Sequence, residues 1–281
     1  MGRLPTNSLN IVGAGHVGRA LGRVFTARGI FAVQDVLTRS QASAQAAVGF
    51  IGAGHAVDAP GWLRAADVWM LAVSDDRLPE VAAALAQAHD VSGAVVFHCS
   101  GAKASGELAP LRAAGAAIAS VHPVRSFADP TAVAAAFDGT WCGVEGDPAA
   151  LALLVPAFEA AGARIVAIDP AAKTVYHAAS VFASNYLVTV LDAALRAYQA
   201  AGIPEGVARE LAQPLAAETL ANVMRLGAEQ ALSGPIARGD EATVARQQTA
   251  VDAWDDGSGA LYTALAQATR ALAKRKHGQG G

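Results

Sequence analysis

The chain has 281 residues, of which 53% are hydrophobic and 16% are charged, and its formal net charge is -3. This length suffices for two moderate cores, and without an excess of basic residues there is no reason to propose nucleic acid or an anionic membrane as a partner. Cys99 and Cys142 are too few for a disulfide framework or a metal cage, and the apolar runs are interrupted by Pro, Gly or charge. We therefore expect a cytoplasmic protein with two domains and no metal site, membrane span or secretory signal.

A glycine-rich turn follows the first predicted strand, Leu9–Val12. It joins this apolar run to a helix with Leu21 and Val24 on one face, and it consists of Gly13, Ala14, Gly15, His16, Val17 and Gly18. In a dinucleotide site the first glycine allows the tight turn, the second lets the pyrophosphate approach bare backbone, and the third lets helix and strand pack closely. Because strand, turn and helix occur in this order, the six residues are predicted to bind a dinucleotide; a turn used for packing alone is the alternative.

The residues after the second predicted strand, 31–37, indicate which dinucleotide is bound. An NAD site places a carboxylate there, whereas an NADP site needs a cation and small donors for the extra phosphate. The chain has Thr38, Arg39 and Ser40 at this point, while Asp35 lies too early on the strand. NADP is therefore the preferred cofactor and NAD the less favoured one. A solvent-exposed surface charge is the alternative interpretation of Arg39.

Strands and helices alternate through the first part of the chain, with further strands predicted at 68–73, 94–98, 116–121, 140–144 and 164–168. This alternation predicts an α/β fold with a doubly wound, mostly parallel sheet. Ligands of such sheets bind beyond the carboxyl ends of the strands. In addition to the glycine turn and Arg39, that rule selects Val73, Ser74, Ser100 and His122.

From residue 170 onward the pattern is helical only. Residues 171–201 are predicted to form one helix of about 30 residues, roughly 45 Å long. A helix at 206–226, kinked at Pro214, a loop at 233–240 and two more helices follow. We therefore predict a Rossmann domain over residues 1–169 and an all-helical substrate domain over residues 170–281, with the long helix as the seam of a homodimer.

Several motifs carry a resemblance to a known family: the glycine turn, Thr38-Arg39-Ser40, HPVRSF at 122–127, Tyr176-His177-Ala178-Ala179 with Asn185-Tyr186-Leu187, and GPIARGD at 234–240. In these motifs the chain resembles Rossmann-like NADP oxidoreductases whose C-terminal half is a domain of unknown function (domain of unknown function 2520). In architecture it is similar to pyrroline-5-carboxylate reductases and to the 3-hydroxyacid and prephenate dehydrogenases, which often dimerise through a helical domain. The resemblance implies nicotinamide-dependent redox chemistry and supplies no substrate.

His122 is the leading candidate for the proton transfer that accompanies hydride transfer. An imidazole titrates near neutral pH, and Pro123 holds the histidine in an extended conformation at the strand end. The His-Pro pair resembles the prephenate and arogenate dehydrogenases, in which this histidine contacts the reacting hydroxyl. A histidine hydrogen-bonded only to structure is the alternative. Ser126 is a candidate for orienting the same substrate, with capping of the turn as the equal alternative.

A second catalytic group is predicted on the long helix. Lys173, His177, Ser180 and Ser184 are spaced by four, three and four residues, so they share one stripe of its surface. Buried polar groups need partners, which favours a function for His177, whereas the serines are interpreted as small packing residues. Lys173 is an alternative general acid, because hydroxyacid dehydrogenases place a lysine on the matching helix, although here its spacing to Asn185 departs from their pattern.

Three residues are candidates for substrate binding. The Ser100 hydroxyl is placed to bind a substrate carboxylate or the nicotinamide carboxamide, with helix capping as the alternative. Arg238 is suited to clamp a carboxylate with two hydrogen bonds or to pair with Asp240. Asn185, from the second of the helical motifs quoted above, is the third candidate.

The combined pattern predicts an NADP-dependent oxidoreductase that transfers hydride to or from a small carboxylate-bearing hydroxy or oxo compound, with His122 as acid/base. An imine reductase of the pyrroline-5-carboxylate reductase type is the nearest alternative. A sensor or scaffold that binds NADP without turnover is the third interpretation.

Overall fold

The computed structural model describes residues 6–278 and divides the chain into two compact units, Met1–Ala183 and Ser184–Gly281. The first unit contains a sheet with helices on both faces, and the second is helical. This division differs from the boundary expected at residue 169, because the helix Lys173–Ala183 groups with the sheet.

Within residues 6–278 the structure has eight strands, β1 (Ser8–Val12), β2 (Ala32–Leu37), β3 (His55–Val57), β4 (Val68–Leu71), β5 (Val95–His98), β6 (Ala117–Pro123), β7 (Trp141–Gly146) and β8 (Arg164–Ala167). They form one sheet in the order β3-β2-β1-β4-β5-β6-β7-β8. The strands from β3 to β6 are parallel, β7 is antiparallel to β6, and β8 is parallel to β7. The predicted doubly wound, mostly parallel sheet is confirmed, and its strand order reverses between β1 and β4, the point at which such sheets bind dinucleotides.

The first unit has seven α-helices among its described residues: α1 (His16–Arg28), α2 (Gln41–Ile51), α3 (Leu78–Ala88), α4 (Ala109–Ala113), α5 (Pro130–Ala135), α6 (Pro148–Ala160) and α7 (Lys173–Ala183). Alternate side chains of a strand point to opposite faces, and β4 shows the result. Met70 belongs to the core cluster that includes Phe25 of α1 and Phe158 of α6, whereas Trp69 belongs to the cluster that includes Leu85 of α3. Both faces of the sheet are therefore covered, which leaves its carboxyl edge for ligands.

Strand β3 is an element that the sequence analysis missed. It has three residues, pairs with the edge of β2, and none of its side chains is fully buried. So short and half-exposed a segment shows no periodicity, because alternation needs at least four residues to be recognised.

The second unit consists of α8 (Asn185–Ala200), α9 (Glu205–Leu226), α10 (Ala228–Ala231), α11 (Glu241–Trp254) and α12 (Asp256–Gly278). The prediction of one unbroken helix over 171–201 was wrong at Ser184, whose φ of -128° and ψ of -75° lie outside the helical region. The Ser184 hydroxyl donates to Asn185 Oδ1 at 2.8 Å, and such local side-chain bonds compete with helical backbone bonds. Helix α9 continues through Pro214, and the kink expected at this residue stays a prediction.

One stretch of the described residues, Pro170–Ala200, is long and apolar enough by length and composition to cross a membrane, with a mean hydropathy of 1.4. Such a signal from a single stretch is weak, and the helix break at Ser184 lies in its middle. The expectations of a cytoplasmic protein and of no membrane partner stay predictions.

Candidate active site

The three glycines of the turn differ in what surrounds them. Gly13 has φ of +87°, and a Cβ there would lie 2.7 Å from the Ala72 carbonyl oxygen, so the turn packs directly against the segment after β4. A Cβ on Gly18 would collide with the Gly13 carbonyl oxygen, which is the close helix–strand packing expected of the third glycine. A Cβ on Gly15 would meet nothing within 4 Å. The backbone is therefore open at the position where a pyrophosphate would approach.

The turn borders a cleft of about 720 Å³ in the first unit. Besides the turn and Val73 and Ser74, its lining includes Arg19 of α1 and Thr38 and Arg39 after β2. Helix α1 begins at this cleft without a side-chain cap and without an acidic residue in its first turn. Its first N–H groups thus offer the positive, unpaired donors that bind phosphate. The residues present fit a dinucleotide: the backbone of residues 13–16 would hold the pyrophosphate and Arg39 would lie toward the adenosine end.

The segment after β2 leaves its cation free. Thr38 Oγ1 donates to the Ser40 carbonyl oxygen at 2.9 Å, and Ser40 caps α2 by accepting from the Ser43 N–H at 3.3 Å. Arg39 is exposed and makes no hydrogen bond or ion pair with any residue from 6 to 278. Asp35 is buried and bonded to Arg64 at 2.5 Å. Asp35 is thus committed to a structural ion pair, as expected from its early place on the strand.

Three side chains meet at the carboxyl end of β6. His122 Nδ1 lies 2.9 Å from the hydroxyl of Tyr176, and the two rings stand nearly perpendicular with their centroids 5.5 Å apart. The ring of His177 also meets that of His122 edge-on, at 5.8 Å. A Cβ on Gly101, after β5, would lie 2.7 Å from His122 Nε2 and would collide with His177 Nδ1. Two predicted catalytic residues, His122 and His177, are therefore brought together against bare backbone.

The electrostatics keep His122 neutral. Burial is the main cause that lowers its pKa from 6.5 to about 4, and the nearby Lys173 ammonium and His177 contribute to the same shift. His177 Nδ1 is itself buried without a hydrogen-bond partner among the described residues. Near neutral pH His122 is consequently a neutral imidazole, which carries hydrogen on one nitrogen and accepts through the other.

Lys173 lies in the interior and not at an open surface. The residue is 1% exposed, and its ammonium donates to Ser120 Oγ and lies 3.7 Å from Glu145 Oε1. Glu145 in turn accepts from the N–H and the hydroxyl of Ser105, at 2.7 and 2.6 Å. Burial lowers the pKa of Lys173, and Glu145 opposes that shift. This ammonium group is enclosed between Ser120 and Glu145, and its role as a general acid stays a prediction.

Ser100 occupies the turn after β5. Its hydroxyl donates to Asp75 Oδ2 at 2.7 Å and accepts from the N–H groups of Ala102 and Lys103 at 3.2 and 2.9 Å. The hydroxyl is thus engaged in bonds that stabilise the turn after β5, and it does not cap a helix, because the next helical turn begins at Ser105 without a side-chain cap.

The remaining candidates are dispersed. Ser126 is exposed on the loop after β6, beyond the His122 group. Asn185, which begins α8, and Arg238, which is exposed at the end of a short 3₁₀ turn, belong to the second unit. The substrate-binding roles of Asn185 and Arg238 stay predictions.

One hydrogen bond connects the glycine turn with the loop after β6 at the carboxyl edge of the sheet. His16 Nδ1 donates to the Phe127 carbonyl oxygen at 2.7 Å, which ties the glycine turn to the segment that follows His122. Sequence reasoning missed this bond, and it also missed Tyr176, Gly101 and Glu145. For Tyr176 a signal existed, since it lies three residues after Lys173 and directly before His177, on the same helical stripe.

The family models divide the chain earlier than the two compact units do, between residues 123 and 140. Residues 3–123 match the model of a Rossmann-like domain, and residues 140–269 match the domain of unknown function DUF2520. No curated protein matches this sequence.

Solved structures share the fold over nearly the whole chain. A Thermotoga maritima protein is similar at 26% identity with a TM-score of 0.72, covering 96% of this chain and 99% of its own. A Bacteroides fragilis protein described as a candidate NADP oxidoreductase is similar at 17% identity with a TM-score of 0.78, covering 94% and 98%. The pyrroline-5-carboxylate reductase of Coxiella burnetii is similar at 14% identity with a TM-score of 0.60, covering 97% and 99%. The chain is thus similar to a Rossmann-like domain over residues 3–123 and to DUF2520 over residues 140–269.

Proposed function

We propose that this protein is an NADP-dependent oxidoreductase that transfers hydride between the cofactor and a small oxo, hydroxy or imine compound, with His122 as the acid/base group. The observation that carries the proposal is the convergence of His122, His177 and Tyr176 against Gly101 at the carboxyl edge of a sheet whose glycine turn fits a pyrophosphate. A protein that only held a nucleotide would have no use for a neutral imidazole at that edge.

The surroundings of His122 limit what kind of substrate it can serve. In the first unit Lys103 is paired with Glu107 at 3.2 Å and Lys173 is enclosed with Glu145. The Arg125 guanidinium donates to the Ala136 carbonyl oxygen. These three cations are therefore committed to other partners and are not free to bind a carboxylate of the substrate. The pyrroline-5-carboxylate reductases among the structural relatives make a C=N substrate the second candidate.

Turnover is tested with NADPH as the reductant. We expect NADPH to be consumed with at least one member of a panel of 2-oxo acids, 3-oxo acids and cyclic imines, as followed by nicotinamide absorbance. His122→Ala is expected to lower kcat by about 100-fold or more, the contribution of a general acid/base, while calorimetry shows unchanged NADPH binding. If the wild-type protein binds NADPH but no substrate class is turned over, it is a sensor or scaffold and the enzyme proposal fails.

The cofactor preference depends on Arg39, whose guanidinium is free to bind the extra phosphate of NADP. Arg39→Ala is expected to weaken NADPH binding by about tenfold with little change for NADH, since a hydrogen bond to a charged group contributes about 1.5–3 kcal/mol. Arg23→Ala is the matched control, because Arg23 on α1 donates to the Phe50 carbonyl oxygen and does not line the cleft. Equal NADPH and NADH affinities in the wild-type protein would refute the assignment.

We also propose that the protein is a homodimer through its helical unit. The support is the number of large apolar side chains that this unit leaves exposed, including Val188 of α8 at 67%, Leu215 of α9 at 59% and Met224 of α9 at 76%. Exposed apolar groups in such number mark an interaction surface.

A further inference from the structure

The phenol of Tyr176 has one hydrogen-bond partner among the described residues, and that partner is His122 Nδ1 at 2.9 Å. Helix α7 brings the phenol to the end of β6, where the imidazole lies. Either the phenol oxygen or Nδ1 carries the hydrogen of this bond. The answer fixes the tautomer of a neutral His122, and therefore decides whether its other nitrogen, Nε2, donates to a ligand or accepts from it.

The hydrogen belongs to the phenol. Burial raises the pKa of Tyr176 to about 12, so the group is a phenol and not a phenolate near neutral pH. A phenol that accepted from Nδ1–H would leave its own O–H without an acceptor in the described part of the chain, and an unpaired donor in a half-buried site costs free energy. Donation from the phenol to Nδ1 satisfies both groups. A neutral His122 then carries its hydrogen on Nε2.

Two glycines make room for this arrangement. Gly143 of β7 lies directly opposite His122 in the antiparallel register, and a Cβ there would lie 2.5 Å from the phenol oxygen. Gly101 likewise leaves room for His122 Nε2, because a Cβ on Gly101 would lie 2.7 Å from that nitrogen. The chain thus has no side chain at the two backbone positions where one would displace the phenol or block Nε2.

We propose that Tyr176 is the positioning residue of His122 and holds it as the tautomer with hydrogen on Nε2, so that the resting protein presents a hydrogen-bond donor to the oxygen or nitrogen of an oxo or imine substrate. The tautomer follows from the geometry of the pair, and its role in turnover rests on the proposed oxidoreductase function. Lys173 and His177, which face His122 from α7, both disfavour a second proton on the ring.

In a reduction, a bound reduced nicotinamide would supply a hydride to the substrate carbon, and the electron pair of the C=O or C=N bond would pass to the heteroatom. The Nε2–H bond of His122 breaks and its proton forms the new O–H or N–H bond. The phenol proton of Tyr176 moves to Nδ1, so the imidazole stays neutral, and the phenolate regains a proton from water. Oxidation is the same sequence reversed.

The tautomer is measurable in the protein without cofactor or substrate. Long-range ¹H–¹⁵N correlation spectra distinguish protonated from unprotonated imidazole nitrogens, and His122→Gln identifies the His122 signals by their loss. We expect hydrogen on Nε2 in the wild-type protein at pH 7. Hydrogen on Nδ1 in the wild-type protein at pH 7 overturns the proposal. This outcome does not depend on whether a Tyr176 variant folds.

Tyr176→Phe removes only the hydroxyl. We expect the His122 signals to move toward a mixture of tautomers and kcat to fall by about tenfold or more while the substrate KM changes little. Tyr262→Phe is the matched control: it removes a phenol that donates to Gln247 in the second unit, and it should change neither readout. Unchanged His122 signals in Tyr176→Phe refute the positioning role. If Tyr176→Phe shifts the His122 tautomer but the wild-type protein turns over no substrate, the oxidoreductase function is refuted and the positioning role of Tyr176 still holds.

Discussion

Gly101 illustrates how one residue without a side chain determines the geometry of the site. Its backbone conformation is not in the left-handed region, so a larger residue is excluded by space alone. A Cβ there would press on the reactive nitrogens of His122 and His177 together. The requirement for glycine is therefore local, and it concerns the catalytic group more than the stability of the chain.

We accordingly expect Gly101→Ala to lower kcat by about 100-fold, the loss typical of a catalytic group displaced by about 1 Å, with NADPH affinity unchanged. Gly106→Ala is the control in the same segment, since a Cβ on Gly106 would meet nothing within 4 Å. Steady-state kinetics and cofactor titration of both variants provide the measurement. Wild-type kcat in Gly101→Ala would show that the two imidazoles have room to move and that their placement is not strict.

At the scale of elements, α9 carries the clearest prediction because its side chains are apolar yet exposed. Leu215 and Met224 are 59% and 76% exposed. We expect light scattering to give twice the 28.4 kDa chain mass for the wild-type protein and a lower mass for Leu215→Glu and Met224→Glu. Glu218→Gln on the same helix serves as the control. A monomeric wild-type protein would refute the homodimer proposal.

The elements also show what the sequence could predict. Strands β1, β4, β5 and β6 were recognisable because each is a short apolar run followed by turn residues, and their carboxyl ends located the glycine turn and His122 correctly at one edge of the sheet. The enclosure of Lys173 was not predictable. Helical spacing places Lys173 and His177 on one stripe, but which of them reaches the interior depends on Glu145, which comes from a strand distant in sequence.

Considered as a whole, the molecule should lose stability in mild acid. Burial lowers the pKa of His98 to about 4, as it does for His122. His98 is held neutral, since Nδ1 accepts from the Ser100 N–H and Nε2 donates to the Ala104 carbonyl oxygen, both at 3.1 Å. The unfolded chain binds these protons near pH 6.5, and the folded one only near pH 4. The unfolded state therefore holds more protons throughout that interval.

The free energy of unfolding should thus fall as pH decreases from 6.5 to 4, by on the order of 3 kcal/mol for each of the two histidines. Denaturant titrations at several pH values measure this dependence. The paired carboxylates, whose pKa values lie below the ordinary 3.8, contribute only at lower pH. The double variant His98→Gln, His122→Gln should flatten the dependence between pH 4 and 6.5. A wild-type protein equally stable at both ends of that range would contradict the burial of these rings as neutral groups.

The antiparallel pairing of β6 with β7 joins residues from two differently matched segments of the chain. His122 is contributed by the segment that matches the Rossmann-like domain, whereas Gly143 and Tyr176 are contributed by the segment that matches DUF2520. The border between the two homology segments thus passes between an imidazole and the phenol that orients it. Neither segment by itself contains both side chains of the pair, so a chain that kept the first segment and exchanged the second would retain its nucleotide turn and lose the partner of its histidine.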